Sequence, residues 1–208
     1  MEATVFRRKG IVDQWLLEAL LLVVAGFATV SSCVTGVRAL TEPRLTVEGL
    51  TLATTPAVDV SSSGKFVVEP IGESVLSVFD PAVAQRALAS SGWLLLGAVC
   101  AVAGWLLWRV LTSLRGGDPF EPANVRRLSV AAALVTVGGV ISGVLRSVSD
   151  GNLKEAADNA FFREFGTTPL AYGGQIELTP VLAGVALGGI ALVYRRAAAL
   201  RHELDGLV

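Results

Sequence analysis

Residue types on which enzymes and metal sites depend are scarce in this sequence. Among 208 residues there is one histidine, His202, and there are two cysteines, Cys33 and Cys100. Neither cysteine has a histidine or a second cysteine at metal-site spacing. The sequence also lacks an H-E-x-x-H motif and the glycine-rich loops that bind phosphates. We therefore expect no enzymatic activity, no catalytic residues, no cofactor and no metal.

Charged residues make up only 17% of the chain, whereas 52% of it is hydrophobic. The mean hydropathy of +0.62 exceeds that of ordinary soluble domains. A bilayer core needs a helix of roughly 20 apolar residues, whereas strands usually run for 4–8. The composition predicts an all-α membrane protein, a bundle of four transmembrane helices. The apolar residues form four blocks, Trp15–Val37, Gly92–Ser113, Leu128–Leu145 and Val181–Tyr194.

Basic residues are distributed unequally between the two sides of a four-span arrangement. Ten of the 17 fall in short segments on one side, and the other side carries two long loops rich in carboxylates. The positive-inside rule places both termini in the cytoplasm. Trp93 and Arg146 then lie at the outer interface. We expect a multi-pass membrane protein, and the excess of arginine over lysine, with abundant alanine, valine and glycine, suggests a GC-rich bacterial genome.

The predicted segments alternate between the membrane and its two sides. They are a cytoplasmic lead (1–14), the first span (15–37), an extracytoplasmic β-containing loop (38–91), the second span (92–113), a cytoplasmic turn (114–124), the third span (125–146), an extracytoplasmic loop with an amphipathic helix (147–179), the fourth span (180–197) and a cytoplasmic tail (198–208).

The two outer loops carry their own structural signals. Alternating residues in "RLTVEGLTL" and "KFVVEPIGESVLSVF" predict strands of a small antiparallel sheet, with a turn at Ser61–Gly64. Asp80 and Pro81 are suited to begin a short helix before the second span. In the second loop, "NLKEAADNAFFREFG" predicts an amphipathic helix on the outer surface.

The first apolar block is predicted to be an uncleaved signal anchor. It continues through Val37 with no polar segment, although Val30–Cys33 loosely fits a lipidation signal at Cys33. A disulfide between Cys33 and Cys100 is an open alternative. Glu18 lies three residues into the block and is expected at headgroup level, with a proton or cation site as the alternative.

Two G-x-x-x-G pairs lie in the third and fourth spans. This spacing puts both glycines on one helix face, where helix backbones approach closely. We expect intramolecular helix packing, and specific dimerisation is the alternative. The four helix-packing residues are Gly139, Gly143, Gly184 and Gly188.

The stretch "WRVLTSLRGGDPFEPANVRRLSVAAALVTVGG" and the tail "LVYRRAAALRHELDGLV" resemble two signature regions of a bacterial four-span membrane family, known as domain of unknown function 2975. His202 departs from that pattern, which more often has an acidic residue there. The resemblance implies the four-span architecture and a bacterial plasma membrane. It implies no activity and no functional residues. The matching positions are Gly117, Pro119, Phe120, Asn124, Arg127, Leu128, Tyr194, Arg195, Arg196, Leu200, Arg201, Glu203, Leu204, Gly206, Leu207 and Val208.

These patterns favour a non-enzymatic regulatory, sensor, accessory or scaffold protein that acts through protein–protein contacts. An oligomeric channel or transporter component is the alternative. The expected partners are the lipid bilayer, a cytoplasmic regulatory protein and further copies of the chain, with no direct contact to nucleic acid. One cytoplasmic docking surface is predicted from the turn and the tail, with Asn124 also suited to cap the third helix. Its residues are Phe120, Asn124, Arg127, Arg201, Glu203 and Leu204.

Overall fold

The computed structural model consists of four long helices and one five-stranded sheet. It describes the backbone of residues 2–52, 61–63, 65–69, 74–116, 121–165, 170–172 and 178–205, and the side chains of 15–47, 65–68, 75–113, 121–163 and 178–200. In chain order the elements are α1 (Glu2–Thr41), β1 (Arg44–Leu52), β2 (Ser61–Ser63), β3 (Phe66–Glu69), β4 (Ser74–Phe79), α2 (Val83–Gly116), α3 (Pro122–Phe165), β5 (Leu170–Tyr172) and α4 (Thr179–Asp205).

Each of the four helices is long and apolar enough to cross a membrane. The candidate spans are Trp15–Thr41, Val83–Ser113, Pro122–Arg163 and Thr179–Leu200. Helices satisfy their own backbone hydrogen bonds, which hydrocarbon requires. The predicted combination of four membrane-type helices with a small antiparallel sheet is therefore confirmed.

The chain divides into two compact units. We call the first the helical unit (Met1–Ser32, Leu96–Val140, Leu178–Val208) and the second the sheet unit (Cys33–Leu95, Ile141–Glu177). The sheet lies in the second unit, with strand order β2-β3-β4-β1-β5 and antiparallel pairing throughout. Strand β1 pairs with β4 over its first part and also with β5 from Leu50, after a register irregularity between Val47 and Leu50.

The strands follow the predicted alternation, with three differences. The "SSSG" segment predicted as a turn contains a strand, since Ser61–Ser63 pairs with Phe66–Val68. The second predicted stretch forms two strands, β3 and β4. Strand β5 lies in the second predicted outer loop, where no strand was predicted.

The core of the sheet unit forms where one face of the sheet meets the last part of α3. Leu76 and Val47 are cross-strand partners, and both are almost completely buried. Period-two alternation places these side chains on the same face. The helix contributes Leu153, Ala157 and Phe161, at the i, i+4, i+8 spacing of one helix face.

Helix α3 extends without interruption through the segment predicted as an outer loop with a separate amphipathic helix. It has 44 residues, or about 66 Å at 1.5 Å per residue. The amphipathic segment is thus its C-terminal part. Helix α2 likewise includes the short helix predicted before the second span.

Asp80 does not cap α2 as predicted. The helix begins at Val83, and the Gln85 side chain accepts a hydrogen bond from the Ala82 backbone N–H at 2.9 Å. Asp80 instead adopts a left-handed backbone with φ of 50°. Its carboxylate lies 3.1 Å from Lys65 Nζ and 3.8 Å from Arg86 Nη2.

The Asp80 ion pairs predict a pH-dependent contribution to stability. The hydrogen bond and positive charge of Lys65, then the charge of Arg86, lower the pKa of Asp80 from its ordinary value. A carboxyl group with a lowered folded-state pKa stabilises the fold above its unfolded pKa, and that contribution is lost as the pH falls through the folded value. We therefore expect the melting temperature of Asp80→Asn to fall less than that of wild type between about pH 6 and about pH 3.

Asparagine is the suitable replacement because it also tolerates a left-handed backbone. The measurement is thermal unfolding in detergent across this pH range, with Glu155→Gln, an exposed carboxylate on α3, as the control. Equal pH dependence in wild type and Asp80→Asn would show that the two ion pairs contribute nothing.

Candidate functional site

A cavity of about 500 Å³ lies within the sheet unit. This volume is in the range of small-molecule sites, roughly 300–1,000 Å³. Its walls come from the end of α1, from β1, from the start of α2 and from α3. The lining residues are Thr35, Arg38, Ala39, Glu42, Arg44, Leu45, Thr46, Val47, Ala89, Trp93, Gly143, Arg146, Ser147, Ser149, Asp150 and Leu153.

Arg146 on α3 is held against Trp93 on α2. Its guanidinium carbon lies 4.5 Å from the centre of the Trp93 ring, within the range of a cation–π contact. Gly92 makes this close approach of α2 and α3 sterically feasible. A Cβ atom at Gly92 would lie 2.6 Å from Arg146 Cγ and 3.0 Å from the Ser142 carbonyl oxygen. The glycine therefore leaves the space that the Arg146 side chain occupies.

Arg44, at the start of β1, is positioned by the sheet. Its Nη2 donates a hydrogen bond to Ser77 Oγ at 2.6 Å, and its guanidinium carbon lies 5.4 Å from the Phe79 ring centre. Ser77 and Phe79 are on the neighbouring strand β4, where Arg44 pairs with Phe79. The register of the two strands thus sets the direction of the arginine side chain.

The described residues of the cavity lining include both positive and negative side chains. Arg38, Arg44 and Arg146 contribute three guanidinium groups, and Glu42 and Asp150 contribute two carboxylates. Arg38 and Glu42 form an ion pair at 3.9 Å whose side chains are mostly exposed. Within the described part of the lining, the guanidinium groups outnumber the carboxylates by one.

Ser149 adds a buried hydroxyl group to the lining. The residue is 2% exposed, and its Oγ has no hydrogen-bond partner among the described residues. A buried hydroxyl without a partner costs free energy, roughly 1–3 kcal/mol.

The described residues of the lining offer guanidinium, hydroxyl, carboxylate and indole groups, and none of them is a cysteine or a histidine. Within the described part of the chain, no three His, Cys, Asp or Glu residues are placed to hold a metal ion. Cys33 and Cys100 are both free thiols in the structure.

The structure describes the side chains of only some residues of the predicted docking surface. Asn124 is 1% exposed, and its Oδ1 accepts a hydrogen bond from Arg127 Nη1 at 2.9 Å. It is the third residue of α3, which begins at Pro122, and so it does not cap the helix. Because it is buried, the Asn124 side chain is not accessible to a partner protein in this conformation. Phe120 lies outside the described residues, as do the side chains of the tail residues, Arg201, Glu203 and Leu204.

Three of the four predicted packing glycines meet a neighbouring helix. An added Cβ at Gly139 would collide with Pro180 of α4, and one at Gly184 would collide with Thr136 of α3. An added Cβ at Gly188 would lie 4.0 Å from the Ala132 Cβ, whereas one at Gly143 would meet nothing within 4 Å. Helices α3 and α4 therefore approach closely within the helical unit.

The cavity was not predicted from the sequence, although Trp93, Arg146 and Gly143 were each noted for another reason. Trp93 and Arg146 were expected at the outer interface, but their mutual contact depends on how α2 and α3 pack. The only further signals are two arginine–carboxylate pairs at i, i+4 spacing, Arg38 with Glu42 and Arg146 with Asp150.

The four candidate membrane-spanning helices indicate a multi-pass membrane protein with a small sheet and a polar cavity. Residues 70–208 match the family described as protein of unknown function, DUF2975. The chain belongs to this family, which confirms the resemblance seen in the sequence. Comparisons with curated proteins and with solved structures gave no match.

Proposed function

We propose that this protein is a non-enzymatic sensor of a bacterial plasma membrane, which binds a ligand in the cavity and regulates a cytoplasmic protein through its turn and tail. The cavity carries this proposal, because its described lining brings arginine and carboxylate side chains together and holds one arginine on an aromatic ring. Such convergent polar groups in a concave site favour ligand binding.

The distribution of charge supports the assignment of the two sides. The basic residues outside the sheet unit flank helix ends, and the positive-inside rule places such segments in the cytoplasm. The sheet unit then belongs to the outer side. A ligand would be recognised outside the cell, and the basic turn and tail would contact a protein inside.

The test measures whether a cytoplasmic partner depends on both the cavity and the tail. Full-length protein is isolated from native membranes in mild detergent, and proteins that co-elute stoichiometrically are identified by mass spectrometry. The variants are Arg146→Gln in the cavity and a deletion of Arg195–Val208. The matched control is Arg163→Gln, an exposed arginine further along α3.

We expect one stoichiometric partner with wild type and with Arg163→Gln. The tail deletion should remove it, and Arg146→Gln should change its amount at least about fivefold, a typical strength of coupling between two sites. A partner retained equally by all variants would contradict the sensor proposal, as would the absence of any partner.

An oligomeric channel is the second candidate, and Glu18 is the observation that favours it. This carboxylate lies within the apolar α1 and is only 7% exposed. Buried ionisable residues in membrane helices often belong to ion pathways. Ion flux through proteoliposomes that is abolished by Glu18→Gln would favour the channel, whereas absence of flux would leave the sensor as the better account.

A further inference from the structure

We propose that five arginines at one end of the helical unit form a binding surface for the headgroups of anionic phospholipids. This inference does not rest on the proposed function, because the five residues belong to the helical unit and the cavity belongs to the sheet unit. Three observations support it: the packing of the helices, the exposure of the arginines and the apolar side chains beside them. We call these residues the arginine belt, and they are Arg109, Arg126, Arg127, Arg195 and Arg196.

Helices α3 and α4 pack antiparallel, as two contacts within the helical unit show. A Cβ added at Gly184 would collide with Thr136, and one at Gly188 would lie 4.0 Å from the Ala132 Cβ. A step of four residues along α4 thus corresponds to a step of four in the opposite direction along α3. Because both helices rise equally per residue, this correspondence continues beyond the contacts themselves.

The same correspondence brings the arginines of α4 level with those of α3. Arg196 follows Gly188 by eight residues, and Asn124 precedes Ala132 by eight residues. Both steps cover about 12 Å along the helix axes. The end of α4 therefore lies level with the first turns of α3, which carry two adjacent arginines.

Helix α2 brings Arg109 to the same level. Only five residues separate the end of α2 from the start of α3, and a Cβ added at Gly138 would meet Val99, so these helices also run antiparallel. Arg109 follows Val99 by ten residues, and Leu128 precedes Gly138 by ten residues. The Trp105 ring holds Arg109 there, since the guanidinium carbon lies 5.2 Å from the ring centre.

The arginines of the belt differ in exposure. Arg127 is half-buried and donates a hydrogen bond to Asn124 Oδ1 at 2.9 Å. The other four residues are exposed and form no ion pair with another described residue. Guanidinium groups recognise phosphate through parallel, charge-assisted N–H donors, so these side chains suit a phosphodiester headgroup.

The two sequence segments that contain the belt carry an excess of positive charge. Residues 105–130 and 190–208 together contain seven arginines and four carboxylates, and they contain no lysine. Arginines and lysines at the ends of membrane helices attract anionic lipid, and each contributes to the affinity. The charge of the whole segments therefore agrees with that of the belt.

Each of the three helices exposes large apolar side chains within about two turns of the belt. Trp105 and Val102 on α2 are 52% and 46% exposed, Val130 on α3 is 47% exposed, and Leu192 and Val193 on α4 are 52% and 66% exposed. Acyl chains lie on such surfaces while the headgroup contacts the arginines. A soluble acidic partner needs no apolar surface of this kind, so the observations favour a phospholipid.

The experiment counts phospholipids bound to full-length protein by native mass spectrometry. Detergent-purified protein is titrated with anionic phosphatidylglycerol, with zwitterionic phosphatidylcholine and with soluble glycerophosphoglycerol, which has the anionic headgroup without acyl chains. The test variant is Arg126→Gln/Arg195→Gln. Arg126→Lys/Arg195→Lys keeps both charges, and Arg163→Gln removes an exposed arginine of the sheet unit.

Phosphatidylglycerol should bind wild type more tightly than phosphatidylcholine or glycerophosphoglycerol. The double glutamine variant should lose about tenfold or more in affinity for phosphatidylglycerol, since each arginine near a membrane surface contributes about fivefold. The double lysine variant should retain most of the affinity, and Arg163→Gln should bind as wild type does. Without added lipid, all three variants should melt with wild type, because exposed substitutions change stability little.

Arg109→Gln tests the belt from another helix and should weaken the binding of phosphatidylglycerol about fivefold. It keeps the inference testable if the double glutamine variant proves unstable. Phosphatidylglycerol binding that is unchanged in both variants, or equal to that of phosphatidylcholine, would overturn the inference. An equal loss in Arg163→Gln would contradict it too, because general charge would then attract the lipid. Glycerophosphoglycerol bound as tightly as phosphatidylglycerol would refute the assignment to a lipid.

Discussion

Replacing Phe161 with alanine is expected to destabilise the protein by about 3–5 kcal/mol, the usual cost of removing a buried phenylalanine. Phe161 is 1% exposed and belongs to the core between α3 and the sheet, with Leu76 and Val47. Its loss leaves a cavity that a close-packed interior fills only in part. The measurement is the free energy of unfolding in mild detergent by denaturant titration.

The neighbouring Phe162 provides the matched control, because it is 59% exposed. Phe162→Ala removes the same side chain from the same helix and should change the free energy of unfolding by no more than about 0.5 kcal/mol. Comparable losses in the two variants would mean that this end of α3 does not pack on the sheet.

A methyl group added at Gly184 is expected to destabilise the helical unit by about 1–3 kcal/mol. The added Cβ in Gly184→Ala would collide with Thr136 Oγ1 and lie 2.8 Å from the Thr136 backbone nitrogen. A backbone atom cannot rotate away, so the two helices would have to separate. Thermal unfolding in detergent and the yield of monodisperse protein would both report this change.

Gly189→Ala should have the opposite effect and stabilise the protein. An added Cβ there meets nothing within 4 Å, and the residue is exposed on the same helix. Alanine is favoured over glycine in a helix by up to about 1 kcal/mol. If both substitutions stabilise the protein, the close approach of α3 and α4 does not exist in solution.

The four helices could be predicted because a long apolar segment can adopt few other structures in a membrane. The sheet could also be predicted from the sequence. Its apolar residues alternate with polar neighbours and are buried in the structure, as seen at Leu45, Val47, Leu76 and Val78. Both signals are local, and each arises from a single physical requirement: backbone hydrogen bonding in hydrocarbon, or burial of one face of a strand.

The boundaries of α3 could not be predicted in the same way. The apolar run ends near Arg146 and Asp150, and this change in polarity indicated the end of a helix. A helix can nevertheless continue through polar residues, because its backbone hydrogen bonds do not depend on side-chain polarity. Gly151 lowers the helix propensity of this segment by only about 1 kcal/mol relative to alanine, so it does not end the helix. Strand β5 has three residues and owes its existence to pairing with β1, so its own sequence carries little signal.

The cavity depends on contacts between segments far apart in the chain. Arg146 meets Trp93 only because Gly92 lets two helices approach, and Arg44 is directed by its cross-strand neighbours. A single sequence gives no information on such pairings. One residue of the predicted docking surface, Asn124, proved to be buried, which a surface argument from residue type cannot reveal.

The strand order also limits how the sheet can meet other chains. Its two edges, β2 and β5, each have three residues in the described part of the sheet. Edge strands with free backbone donors and acceptors are templates for strand addition and for aggregation, and short edges suppress both. At these two strands, a partner of the sheet unit would therefore find little backbone to extend and would have to recognise side chains.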